Sequence, residues 1–105
     1  MIENIDDETP ERLREKLHAE TSKISWTDLL PFFAHGNAVY VSHTLDLIEV
    51  AGVLVEDNRD QMQQWMNDDL VSNVSDEQAS AWHESNVTVW AVVIKPWVLV
   101  QPIVD

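Results

Sequence analysis

His43, Asp46 and Glu49 are the side chains whose types and spacing best suit shared chemistry. Two carboxylates three positions apart fall on one face of a helix. An imidazole just ahead of them adds a group that changes charge near neutral pH. Such a cluster can hold a divalent ion through carboxylate oxygens. It can also run acid–base catalysis, if burial holds one carboxyl protonated while its neighbour stays ionised. Nothing around it completes either design. No D-x-D-x-D-G calcium loop occurs, and no feature of the sequence marks either acid as buried. His35 and His43 lie across an expected strand, about 26 Å apart if extended, too far to share an ion. His18 and His83 have no partner at metal-ligand spacing, so surface and helix-end positions are expected for all the histidines.

Composition removes several other catalytic designs. The chain has no Cys, which removes thiol nucleophiles, thiolate metal sites and disulfides. Gly36 and Gly52 are its two glycines, too few for a phosphate loop, a dinucleotide fingerprint or a nucleophile elbow. No cofactor and no dedicated metal site are expected. An enzyme or ion-binding reading rests on Asp46, Glu49 and His43 alone.

Charge points to a different class of function. Nineteen acids face six bases, for a net charge of −13, and the imbalance is local. Thr44–Glu84 carries ten acids and one base, Arg59. Such a surface repels nucleic acid and anionic membranes and attracts cationic partners such as a basic protein. It also serves solubility, or life in a salt-rich host. The expected binding face is the acidic stripe of Asp46, Glu49, Glu56 and Asp57, with Trp97 as an apolar contact near a sheet edge.

The elements that must position these residues can be read in order. Met1–Glu8 reads as a flexible acidic lead-in. Thr9-Pro10 opens a first helix with Leu13 and Leu17 inward. Ser25 is expected to cap a second, with Asp28 as its box partner and Trp26, Leu29, Leu30 and Phe33 buried. Pro31 should kink or shorten that helix, and Gly36 should end it in a left-handed turn. Ala38–Ser42 follows as a short strand. The third helix, roughly Leu45–Asp57, is apolar around most of its circumference, leaving one acidic stripe wet. Gly52 sits in its apolar arc, where close approach of a neighbour would explain it. A fourth helix carries Met62, Trp65 and Met66 inward, and Ser75 with Gln78 caps a fifth.

The longest apolar run, Asn86–Gln101, closes the chain's core. Its alternating faces are both apolar, with Val87, Val89, Ala91 and Val93 against Trp90, Val92 and Ile94. That pattern predicts a strand covered by helices on both sides. Pro96 marks an edge, bulge or bend, because it lacks the amide that a central ladder needs. The run is interrupted at Lys95-Pro96 and falls short of the ~20 residues of a spanning helix. An acidic start in place of a signal peptide's basic region agrees with a soluble cytoplasmic protein.

Three stretches, ETSKISWTDL (Glu20–Leu29), LDLIEVAGVLVED (Leu45–Asp57) and AVVIKPWVLVQ (Ala91–Gln101), resemble the bacterial family catalogued as domain of unknown function 2288. The likeness runs from Leu13 to Gln101, with Trp65 and Trp82 at matching intervals. The chain departs from it at Asn67-Asp68-Asp69-Leu70, where the family pattern implies a Gly before the Leu. No activity comes with the resemblance. Two shorter matches fail on physical grounds. Val53–Asn58 and Lys95-Pro96 imitate a response-regulator receiver, but lie too close together for its alternating fold. Leu45–Asp68 has a helix-turn-helix outline, but Arg59 is its single base among acids, the wrong sign for a phosphate-facing surface.

The expectation is therefore a single α+β domain over residues 9–105, about five helices on a small sheet of two to four strands. Its expected role is a non-enzymatic interaction or accessory module with an acidic helical surface. Homo-oligomerisation through a sheet edge is a further expectation.

Overall fold

The apolar run becomes the middle of a five-stranded sheet. The computed structural model describes residues 10–104; the expectations for Met1–Glu8 and for Thr9 as a helix cap fall outside them. In chain order the elements are α1 (Pro10–Glu20), β1 (Ser22–Ser25), a 3-10 helix (Trp26–Leu29) running into α2 (Leu30–Ala34), and β2 (Ala38–Val41). They continue with α3 (Leu47–Val55), α4 (Arg59–Asn67), β3 (Val71–Asn73), α5 (Asp76–Glu84), β4 (Thr88–Ile94) and β5 (Trp97–Pro102). The strand order is β1-β4-β5-β2-β3. All pairings are antiparallel except β2 with β5, where Val39 lies beside Leu99.

β4 and β5 form a hairpin that turns through Lys95 and a cis Pro96, with Ile94 opposite Trp97 and Val92 opposite Leu99. The proline thus falls in a bend, where its missing amide costs no ladder bond. Alternation along β4 sorts its side chains as its residue types predict. Trp90, Val92 and Ile94 join Leu99, Val41 and Val71 under α1, α3 and α4. Val89 and Ala91 join Val98 and Val100 under Trp26, Leu29 and Ala79, from the 3-10 helix and α5. The sheet is covered on both faces, which is why its central strands carry no polar face. The second face has an aromatic cluster, with Trp82 edge-on to Trp26 at 5.0 Å between ring centroids and Phe33 edge-on at 5.9 Å. The fully buried Trp26 donates its indole N–H to the Ala79 carbonyl at 3.2 Å.

Five strands exceed the expected two to four. The additional ones, β1 and β3, are edge strands of four and three residues, too short to show alternation against their Ser and Asn content. The second helix also differs. Ser25 makes no side-chain cap, and Trp26–Leu29 winds as a 3-10 turn before α2 begins. Pro31 cannot donate to the carbonyl four residues back, so the regular helix starts only around it. The Ser75–Gln78 capping box forms as expected, both bonds at 3.0 Å. Met66 is a correction: it is 46% exposed instead of inward.

Four of the helices end alike. α2, α3, α4 and α5 each stop at a residue with positive φ: Gly36 (74°), Asp57 (56°), Asp69 (60°) and Asn86 (50°). After α4, Leu70 N–H reaches the Trp65 carbonyl at 2.9 Å and Asp69 N–H the Met66 carbonyl at 3.2 Å, satisfying the end in Schellman fashion. At the departure from the family pattern, Asp69 holds a left-handed conformation that Gly adopts more readily.

Gly52 is a second correction. A Cβ built there meets only Leu17 Cδ1, at 4.0 Å. No neighbour crowds the position, so close approach does not account for the glycine.

Candidate functional site

The acidic residues are positioned by the packing of α1 across α3. Leu13 and Leu17 of α1 lie buried with Leu47, Ile48, Val50 and Ala51 of α3. Asp46 starts α3 as its N-cap. One carboxylate oxygen accepts from Ile48 N–H at 2.9 Å and Glu49 N–H at 3.4 Å. The other accepts from Arg14 of α1 at 2.9 Å. Asp46 is thus occupied on both oxygens, ending one helix and tying it to another, where its negative charge also suits the helix dipole.

Beside that tie, a groove of about 330 Å³ opens between α1 and α3. Its floor is apolar: Leu13, Leu17, Ile48, Gly52 and Val53. Its rim carries Glu11, Glu49 and Glu56, with Arg14 already engaged by Asp46. Because Gly52 contributes no side chain, the floor is open at its centre. On the other side of α3, Val53 also lines a second groove of about 300 Å³, with Leu54, Asp57, Met62 and Met66.

The four acids of the expected stripe therefore separate. Glu49 and Glu56 face the α1–α3 groove, and Asp46 is consumed as a cap. Asp57 turns away because its left-handed backbone ends the helix. Its carboxylate sits 3.5 Å from Arg59 Nε and lines the α3–α4 groove instead. Trp97, half-buried, lies opposite Ile94 at the hairpin turn and lines neither groove.

His43, Asp46 and Glu49 do not converge on one cavity. His43 is exposed in the turn after β2, Asp46 borders a hollow with His18, Trp90 and Gln101, and Glu49 faces the α1–α3 groove. Among the described residues no three His, Cys, Asp or Glu side chains are grouped as a metal would require. All four histidines are exposed; His18 and His83 are in the last turns of α1 and α5, and His35 caps α2.

Gln101 is a positioning residue that sequence reasoning missed. From β5 its amide donates to the carbonyls of Ser42 at 2.9 Å and Leu45 at 2.7 Å, clamping the loop that delivers α3. The only available signal was a polar residue ending an apolar strand, which does not reveal a contact 56 positions away.

The profile of a family described as "Protein of unknown function (DUF2288)" matches residues 12–102. The NMR solution structure of PA1075 from Pseudomonas aeruginosa is 38% identical and covers 99% of this chain and 95% of its own, with a TM-score of 0.79. Among curated proteins none matches the chain. Among the described residues, no helix is long and apolar enough to cross a membrane.

Proposed function

The chain belongs to the DUF2288 family, and from that premise we propose that it acts as a non-enzymatic interaction module whose acidic helical face receives a cationic protein partner. The observation that carries this reading is the groove between α1 and α3, apolar in its floor and carboxylate on its rim. Apolar area supplies binding energy, while the surrounding charge selects partners and speeds their encounter. Three rim carboxylates face one guanidinium that is already paired with Asp46, so the rim is net negative. The chain's overall charge of −13 extends the same field outward.

We propose a cytoplasmic location for the module; its longest apolar run folds as β4 and β5 inside the sheet and forms no membrane-spanning helix. Pairing through a sheet edge is less well supported than docking on α1 and α3. The edge strands are short, and β1 exposes Ser22 and Lys23, features that discourage strand addition.

The test compares wild type with Glu49→Lys/Glu56→Lys as bait for native lysate at low and high salt. A set of basic proteins held by wild type, released by salt and lost by the charge-reversed bait supports the reading. Identical sets on both baits contradict it. Matched melting curves establish that both baits are folded.

A further inference from the structure

We infer that the occupant of the α1–α3 groove is a basic amphipathic helix of another protein, seated with an apolar side chain over Gly52 between two cationic ones. The inference rests on the interaction reading and specifies its partner. Both groove walls are helices, whose interior backbone N–H and C=O groups are already bonded within each helix. An extended peptide would find no ladder there and would leave its own backbone unsatisfied on an apolar floor. A helix brings its backbone bonds with it and needs only side-chain contacts.

The rim sets the spacing. Glu49 and Glu56 are seven residues apart, about two turns or 10.5 Å along α3. Gly52 and Val53 lie between them. A partner helix with Lys or Arg at i and i+7 places both cations against those acids. Its residues at i+3 and i+4 then face the floor, where Gly52 presents no side chain and an added Cβ would meet only Leu17 Cδ1, at 4.0 Å. The sign of the rim disfavours nucleic acid and anionic membrane, and a second copy of a chain at −13 is repelled at long range.

The test uses a fluorescent, end-capped peptide of about 14 residues with Lys at i and i+7 and Leu at i+3 and i+4, against the full chain. A scrambled peptide of the same composition is the control. The helical peptide is expected to bind wild type at least about tenfold more tightly than the scramble. Glu49→Gln/Glu56→Gln should weaken it and flatten its salt dependence. Gly52→Leu, which fills the floor, should weaken it about tenfold or more with the melting temperature held or raised.

Equal binding of both peptides, indifferent to Gly52→Leu, would overturn the seated helix while leaving a charge-driven interaction module standing. No binding by either peptide would remove both. Wild type that dimerises in sedimentation, with Gly52→Leu monomeric, would assign the groove to a second copy and also overturn the inference.

Discussion

Replacing Gly52 with Ala tests the packing of α1 on α3, because the outcome changes sign with the distance between them. In the interior of a nine-residue helix, Ala is favoured over Gly by about 1 kcal/mol through backbone entropy alone. Had α1 pressed on Gly52, the new methyl would have overpacked the core at a cost of about 1–3 kcal/mol and reversed that gain. The structure instead puts the methyl 4.0 Å from Leu17 Cδ1, in ordinary contact and with nothing else near. Partial burial against Leu17 adds a fraction of the ~0.8 kcal/mol of a buried methylene. Gly52→Ala is therefore expected to stabilise by about 1 kcal/mol, or roughly 4–8 °C for a domain of this size. Urea unfolding followed by Trp fluorescence reads it as a higher midpoint with unchanged slope. A lower midpoint at the same slope would show that α1 lies closer than described, and that the groove floor is not open.

Three further outcomes follow from particular contacts. Gln101→Leu removes the donor shared by the Ser42 and Leu45 carbonyls, and should destabilise by about 1–3 kcal/mol in chemical denaturation; an unchanged midpoint would mean water replaces the clamp without loss. Asp69→Gly relieves a left-handed Asp at the end of α4 and should raise stability by up to about 1 kcal/mol; a loss would give the carboxylate a role the backbone does not explain. Raising monovalent salt should raise the melting temperature, because ten acids with one base in Thr44–Glu84 repel one another and the Debye length falls from ~10 Å at 0.1 M to ~3 Å at 1 M. A flat or falling curve would mean those acids are already neutralised.

What the sequence disclosed was whatever short-range chemistry decides. Both-sided burial of β4 followed from apolar residues at consecutive positions, and the Ser75 box from two residues three apart. The left-handed stop at Gly36 followed from its residue type. Contacts set by tertiary placement were not legible. β1 and β3 are strands because β4 and β2 offer them edges, not because their own residues demand it. Gly52 looked crowded from within one helix and proved open once α1 was in place. The acidic stripe was legible as a helical arc, but its division was not. Whether Asp46 caps, Glu49 faces a groove or Asp57 leaves the helix depends on where α3 starts and stops. The helix is shorter than its apolar pattern by two residues at each end, Leu47–Val55 against Leu45–Asp57.

The claim that an acidic-rimmed groove receives a cationic partner is met most directly by titrating the isotope-labelled chain with the basic amphipathic peptide at low salt, following backbone amide shifts. Saturable changes concentrated on Leu13–Leu17 of α1 and Glu49–Glu56 of α3 are the predicted result. Changes spread over unrelated acids such as Asp60, Asp68 and Asp76, or gathered around Met62 and Met66, would contradict it.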